Sequence, residues 1–565
     1  MPPADPPPDL IVPDGYTLHS ENTSHILLPS DNGAFLNPVQ EFNRDLSVAC
    51  IRVWGEQMDE TKKLKWEQER ERKAQKAESK AKKQKLDDGK EREVEELATE
   101  GSEQVVEAAK PKLEYRPSQF VILEALSATG LRSVRYAKEI PQVKYVIAND
   151  LSDLACEAMR RNVELNDLHA KEDITEEGSS TQIRREAKVR VNEGDACALM
   201  YNHRTSKNRV DVVDLDPYGT AAPFIDAAVQ CVNDGGLLCV TCTDLQVLAT
   251  TNYPEKCFAN YGGLPLKGEY CHESALRLVL HSLATSAARY GRYIEPLASL
   301  SIDFYVRLFV RVKTSQAEVK KLVANTASYY VCSGCQSFYE QSLGKVKTSV
   351  SAKTGDTNYH YKVNTGPPVS DKCPECNSIF HLAGPMWSGP LHDKNFIGKV
   401  LDHVEANSDK YGTSPRMKGM LTVAKEELDS VFFFSPGHLA GTFHCIAPSL
   451  HDVTSALLHA GHTVSRSHAV AGSLKTDAPR SAIYSIFRSW IKNNPVKMEK
   501  ISQTSPSRVL IEKEPAFEAN FKHHPGATTK SSAVKLVRYQ QNPLPNWGPG
   551  SRAVSGTKRK RPADA

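Results

Sequence analysis

The stretch "RVDVVDLDPYGT", residues 209–220, decides how this chain is read. Val210, Val212 and Val213 form a short β-branched run of the kind that fills a buried strand. The run ends in Asp214, Leu215, Asp216, Pro217, Tyr218 and Gly219. Carboxylates, a proline, an aromatic ring and a glycine at the end of a buried strand are costly unless something is held there. A single Asp before a helix is ordinarily an N-cap. The pair Asp214 and Asp216 at one strand end favours a bound group instead.

The pattern repeats on both sides of this stretch. "FVILEAL" (120–126), "KYVIANDLS" (144–152), "AKVRVNEGDA" (187–196) and "GGLLCVTCTDL" (235–245) read as strands. Between them, "SATGLRSVRYAKEI" (127–140), "DLACEAMRRNVELN" (153–166) and "AAPFIDAAVQCV" (221–232) read as helices. "EPLASLSIDFYVRLFVRVK" (295–313) adds strand material. Strands alternating with helices predict an α/β fold, a Rossmann-like doubly wound and mostly parallel sheet.

In such a sheet, ligands bind beyond the carboxyl ends of the strands. After the first strand, Ser127, Ala128 and Gly130 allow close backbone approach at a helix N-terminus. After the second comes Asp150, placed to take both hydroxyls of a ribose. After the third, Asp195 can take an adenine amino group, and the N–H of Ala196 can donate to a ring nitrogen. The first turn lacks the G-x-G-x-x-G that a pyrophosphate requires. The order suits S-adenosyl-L-methionine better than a dinucleotide.

Asp216, Pro217 and Tyr218 then face an acceptor. The lone pair of an exocyclic amine on a heteroaromatic base is delocalised into the ring, so its N–H bonds must be oriented for attack. The Asp216 carboxylate and a carbonyl of Asp216 or Pro217 can take the two hydrogens. Pro217 fixes the turn, and Tyr218 offers a stacking face. A base presented in this way is out of its helical stack.

The chain has 565 residues, enough for two or three globular parts. Its 71 Lys and Arg against 68 Asp and Glu give a formal net charge of +3, so overall charge does not itself mark a nucleic-acid binder. No apolar run is long enough to span a bilayer, and no motif marks an obligate protein partner. With neither a signal core nor an Arg-rich start, the 13 cysteines point to a reducing compartment. Four of them, Cys332 and Cys335 in "YYVCSGCQSF" and Cys373 and Cys376 in "DKCPECNSIF", form two C-x-x-C knuckles. Four thiolates suit a structural, tetrahedral Zn²⁺ with no open position for chemistry. His381 is read as a bystander.

The motifs "FLNPVQEFNRDLSV", "ALSATGLRSVRYAKE", "NDLS", "DVVDLDPYGT", "GGLLCVTCTDL", "MWSGPLHD" and "SLKTDAP" together resemble the tRNA guanine-26 N2-dimethyltransferase family, over about residues 35–490. The resemblance implies a class I methyltransferase domain followed by a smaller α+β C-terminal domain, here containing the zinc. It implies two successive methyl transfers from S-adenosyl-L-methionine to guanine N2 in tRNA. It implies cofactor contacts at Arg44, Arg132, Asp150, Asp195 and Ala196, a catalytic Asp216, a base pocket shaped by Pro217 and Tyr218, and Phe35 as a second aromatic on the base.

The expected organisation is a flexible N-terminus (1–30), a methyltransferase domain (31–313) with a charged, disordered insertion (59–110), a C-terminal tRNA-binding domain with the zinc site (314–500), and a disordered basic tail (501–565). Basic residues in "RMKG" (416–419) and "SRSHAVAGSLKTDAPR" (465–480) are candidates for phosphate contacts, with an ordinary solvated surface as the alternative. "KRKRP" (558–562) reads as a nuclear import patch, so the nucleus is the expected compartment, with the mitochondrion or cytoplasm as further ones. Two competing readings stand beside the main one. One is methylation of another nucleic-acid amine, such as adenine N6 or guanine N2 in ribosomal RNA. The other is a zinc-containing RNA-binding protein with a vestigial methyltransferase domain.

Overall fold

The computed structural model describes residues 12–30, 36–91, 114–172, 184–533 and 537. Its centre is a seven-stranded sheet of β1 (Phe120–Glu124), β2 (Val143–Asp150), β3 (Val189–Glu193), β4 (Val210–Leu215), β5 (Val232–Cys242), β6 (Arg292–Ile302) and β7 (Tyr305–Thr314). The spatial order is β6-β7-β5-β4-β1-β2-β3. β1 to β5 are mutually parallel, and β7 runs antiparallel to both β5 and β6. The first half of the chain builds outward from β1 through β2 to β3, and the chain then returns to β4 on the other side. The switch point therefore lies between β1 and β4, where a crevice for ligands opens in folds of this kind.

The strands are apolar because helices cover both faces. Ile122, Leu123, Val212, Val213, Leu237 and Leu238 are fully buried. The helices that position the site are α1 (Glu41–Glu91), α2 (Leu131–Glu139), α3 (Asp153–Leu165), α4 (Ala196–Asn202), α5 (Ala222–Cys231) and α6 (Cys271–Ala288). Phe42, Leu46, Cys50, Ile51 and Trp54 recur at helical spacing and are all buried, which seats the first turns of α1 on the sheet.

The second unit contains a three-stranded antiparallel sheet in which Thr326–Cys332 lies between Phe338–Ser342 and Phe380–Trp387. Its helices include α7 (Lys394–Ala406), α8 (Ser414–Glu426) and α9 (Arg480–Asn493). The expected division near 313 does not separate two cores. Phe396, Val400, Met417 and Leu421 share one apolar cluster with Phe42, Ile122 and Leu300, and Tyr329, Met386 and Phe432 share another with Leu276 and Val240. A buried clasp joins the units as well. The backbone N–H groups of Ser299 and Ser301 on edge strand β6 donate to His392 Nδ1 (3.2 Å) and His468 Nε2 (3.1 Å). The remaining ring nitrogens, His392 Nε2 and His468 Nδ1, then carry protons toward Glu427 Oε2, at 3.7 and 2.6 Å. That tautomer assignment makes His468 and Glu427 a hydrogen-bonded anchor with His392 beside it at longer range, and leaves no ring lone pair for a metal.

Three expectations about order need correction. Residues 16–29 form a hairpin, Tyr16–Glu21 paired with Ser24–Pro29, because Ile26 and Leu27 are buried and Asn162 and Asn166 of the α3 region hold its backbone. The charged segment from 59 to 91 continues α1 as helix, with Asp59 accepting from Tyr115 Oη and Ser118 N, each at 2.7 Å. The chain from 501 to 533 packs along the second unit: Leu510 is buried, and Ser485 and Ser489 of α9 accept from Ala516 N and Ala519 N. Phe35, residues 92–110 of the insertion and the 558–562 patch lie outside the described residues. Among the described residues, no helix is long and apolar enough to cross a membrane.

Candidate active site

The loops after β1, β2 and β3 meet through two amides. Asn149 Nδ2 donates to Ala125 O (2.9 Å) and Gly194 O (3.1 Å), and Asn192 Nδ2 donates to Asn149 Oδ1 (2.7 Å). Sequence reasoning passed over both asparagines, although a buried Asn at a strand end is itself a sign of loop bracing. Ala128 and Gly130 take left-handed φ values of +47° and +76°, which bends the loop into a concave rim. No side chain caps α2. Asp150 closes the rim from β2, with Oδ2 accepting from Ala128 N (2.9 Å) and Oδ1 from Ser152 N (3.0 Å). Asp195 N-caps α4 through Oδ1 to Ala198 N (2.7 Å), and it is solvent-exposed while Ala196 beside it is buried.

Across the switch point stands the loop after β4. Asp216 is not the cap of α5, whose N-cap is Ala221. Instead Asp216 Oδ2 accepts from Arg132 Nη2. Pro217 is buried, Tyr218 is half-buried, and Gly219 turns the chain at φ +85°. The turn is tied to β5: Gly219 N donates to Thr243 Oγ1 and Thr243 N donates to Gly219 O, both at 2.8 Å. Burial, together with the carboxylates of Asp216 and Asp150, pushes the Tyr218 hydroxyl up to about 12. One ring thus feels acids from both sides of the crevice.

Beneath this rim lies a closed set of charges. In the parallel register Glu124 of β1 sits beside Asp214 of β4. Asp214 is fully buried and receives Arg307 Nη1 and Nη2 at 2.7 and 3.0 Å, plus the Tyr136 hydroxyl at 2.5 Å. Burial opposes its charge, but Arg307 and Arg132 hold it below the usual carboxylate range. Glu124 takes a hydrogen bond from Ser133 Oγ, and Arg132 Nε lies 3.5 Å away. Burial outweighs Arg132 there and raises the Glu124 carboxyl to about 8, so at neutral pH it is mainly a neutral acid. Ser47 of α1 accepts from both Arg132 (3.2 Å) and Arg307 (2.8 Å), which locks α1 to this floor.

The expected residues therefore fall in two groups. Asp150, Asp195, Ala196, Asp216, Pro217 and Tyr218 stand around one end of the sheet. Arg132 also reaches that place, but its guanidinium is taken by Asp216 and lies 3.6 Å from Asp214. Arg44 pairs instead with Glu21, through Nε at 2.8 Å and Nη2 at 2.5 Å, in a set that includes Arg135. Although buried, Glu21 is held well below its ordinary range by Arg44 and Arg135.

The two cysteine knuckles converge elsewhere. All four Sγ atoms are buried and lie within 4.8 Å of one another, with Cys332–Cys376 at 3.3 Å and Cys335–Cys373 at 3.7 Å. Tetrahedral coordination with Zn–S near 2.3 Å sets sulfurs about 3.8 Å apart. Gly334 N points at Cys332 Sγ (3.4 Å), a donor suited to a thiolate. His381 stays outside the cluster; its Nε2 accepts from Lys267 N at 3.4 Å.

The chain is similar to known proteins along most of its length. Residues 15–488 match the family model described as N2,N2-dimethylguanosine tRNA methyltransferase. The tRNA (guanine(26)-N(2))-dimethyltransferase of Schizosaccharomyces pombe is 44% identical over 540 residues, covering 94% of this chain and 92% of that protein. The Saccharomyces cerevisiae protein of the same name, designated mitochondrial, is 41% identical over 562 residues, covering 95% and 92%. Among solved structures, Trm1 from Pyrococcus horikoshii in complex with S-adenosyl-L-methionine superposes with a TM-score of 0.57 at 24% identity, covering 83% of this chain and 98% of that one. That likeness bears on the fold.

Proposed function

Because the chain belongs to the N2,N2-dimethylguanosine tRNA methyltransferase family, we infer that it transfers two methyl groups in succession from S-adenosyl-L-methionine to the exocyclic N2 of guanine-26 in tRNA, giving N2,N2-dimethylguanosine. The observation that carries this reading is the Asp216-Pro217-Tyr218 turn after β4, which leaves the same end of the parallel sheet as the β1 loop beside it and the Asp150 loop after β2.

The sulfonium of S-adenosyl-L-methionine supplies an electrophilic methyl group. The rim fits such a molecule because its donors and acceptors match a nucleoside with an amino-acid tail. Asp150 is assigned to the ribose hydroxyls, Asp195 to the adenine amine and Ala196 N to an adenine ring nitrogen. Arg44 and Arg132 are assigned to the cofactor's carboxylate, which would join ion-pair sets that already contain Glu21 and Asp216. The left-handed turn at Ala128 and Gly130 lets the backbone approach closely.

On the acceptor side, Asp216 and the carbonyl of Asp216 or Pro217 take the N–H bonds of guanine N2. This aims the nitrogen lone pair across the crevice, and placement of this kind supplies much of the rate. Asp216 is also the acceptor for the proton that nitrogen loses as it gains a methyl. Arg132 fixes the rotamer of Asp216, and Tyr218 and Phe35 are assigned to the faces of the extruded base.

The four cysteines are assigned to structural Zn²⁺, supported by their burial and by the convergence of four sulfurs within 4.8 Å of one another. Metal analysis of full-length protein should give close to one zinc per chain; a value near zero would refute the site. The proposed compartment is the nucleus, on the basic run 558–562, with the mitochondrion as a second one.

To test the reaction, the protein is incubated with labelled S-adenosyl-L-methionine and unmodified tRNA, and the nucleosides are separated. Label is expected in N2-methylguanosine and then N2,N2-dimethylguanosine. Label on adenine alone would overturn the reading in favour of an adenine amino-methyltransferase.

A further inference from the structure

The basic residues that the sequence offers for phosphate contact are largely used inside the protein. Arg416 pairs with Asp303 at 2.8 Å, Lys475 bridges Glu273 (3.3 Å) and Glu427 (3.1 Å), and Arg480 lies 3.9 Å from Glu269. All three are buried. They are not available to a polyanion without breaking buried ion pairs.

A different element carries exposed positive charge. The excursion between the two cysteine knuckles is a two-stranded ribbon, Gly344–Val350 paired with Thr357–Val363. Lys345 stands directly opposite Lys362, and Lys347 opposite His360. Alternation places these four on one face, followed by Ser349 and Asn358, with no acid among them. The one acid of residues 344–363, Asp356, is in the turn, against four lysines. Lys347, His360 and Lys362 are exposed, and Lys345 is half-buried with Nζ 3.4 Å from Asn364 Oδ1.

The other face is the footing. Gly344 is buried; Tyr361 Oη donates to Ala317 O (3.5 Å), and Lys321 Nζ lies 5.9 Å from the Tyr359 ring. The ribbon thus leans its Tyr359–Tyr361 side on the short helical segment 316–324, while Lys347 and Lys362 stand in solvent. Like charges directly opposite one another destabilise a strand pair. The repulsion of Lys345 against Lys362, with Lys347 about 7 Å further along the strand, is relieved when a chain of anions lies across them.

We propose that this basic face of the 344–363 ribbon contacts the phosphate backbone of the RNA substrate; the proposal rests on the function inferred above. Such contacts hold position and carry no base specificity.

The test uses full-length protein with Lys345→Gln, Lys347→Gln and Lys362→Gln combined, and unmodified tRNA. Anisotropy binding is measured across a salt series, with turnover in parallel. RNA affinity should fall about tenfold or more, and the log–log salt slope should become shallower by about 2 to 3. KM for RNA should rise while kcat at saturating RNA and cofactor affinity stay at parental values. The combined Lys→Arg variant should bind like the parent. Unchanged affinity and salt slope in the Gln variant would overturn the proposal, and so would a loss confined to kcat. If the parent itself methylates no guanine in tRNA, it is the functional reading that fails; a parent that methylates alongside a Gln variant that binds normally sinks the ribbon alone.

Discussion

Floor and rim of the crevice draw on the same residue types and differ in enclosure. On the floor, the Asp214 side chain is 0% exposed and receives a bidentate Arg307 and the Tyr136 hydroxyl. At the rim two residues later, the Asp216 side chain is 18% exposed, and the partner shown for it is a single arginine. A carboxylate shut away from solvent and held by three donors has nothing to offer a substrate. One with an accessible oxygen can accept an N–H. Spacing along the strand therefore separates an acid enclosed in the fold from one open to a ligand.

Substitutions should break this comparison in a graded way. Asp214→Asn leaves Arg307 buried without its counter-charge, and destabilisation of about 3–5 kcal/mol is expected. Denaturant unfolding measures it, and a loss below about 1 kcal/mol would show that the floor is not a structural unit. Since the Asp214 pKa is lowered in the fold, its contribution is present above the ordinary carboxylate range and is lost as pH falls through the folded value.

Asp150→Ala should act more on ligand than on fold, because inside the protein it gives up only the two rim hydrogen bonds from Ala128 N and Ser152 N. Loss of two charge-assisted hydrogen bonds to a ribose should weaken S-adenosyl-L-methionine by about 1.5–3 kcal/mol. Calorimetric titration reads this directly, and parental affinity would remove Asp150 from the cofactor set.

The smallest effect is expected at Glu124. Its folded pKa of about 8 lies above the ordinary 4.5. The folded chain holds that proton more tightly, so the contribution is full below the ordinary value and is lost as pH rises through about 8. Glu124→Gln should therefore lose less stability than the parent on going from about pH 5 to pH 9, with a gain of about 1–2 kcal/mol at the alkaline end. Parallel curves for the two proteins would contradict the neutral-acid assignment.

The rim was legible in the sequence because its residues break a local pattern. Asp150, Asp195 and Asp216 each fall at or just beyond a strand end, where order along the chain gives order around the sheet's edge. The floor was harder to see. Asp214 stood out, but its partner Arg307 comes 93 residues later, in a strand that reads as apolar. An arginine flanked by apolar residues in "YVRLFV" was the available signal, since an unpaired guanidinium is almost never fully buried. Pairing across a sheet is a property of strand order, which periodicity does not supply. The same limit explains the domain boundary: composition marks where strands stop alternating with helices near 313, but not that α7 and α8 fold back onto α1 and complete its core. The charged stretch after residue 59 shows the converse. Its composition predicted disorder, but a chain rich in Lys, Glu, Gln and Ala also has high helix propensity, and α1 carries on through it to Glu91.

The central claim is that Asp216 acts on the substrate while Asp214 acts on the fold. It is tested most directly by Asp216→Asn, with cofactor binding, unfolding and nucleoside products measured on one preparation. Parental unfolding and largely intact S-adenosyl-L-methionine affinity are expected, with formation of N2,N2-dimethylguanosine reduced by about 10²–10⁴-fold. Near-parental product formation would contradict the account.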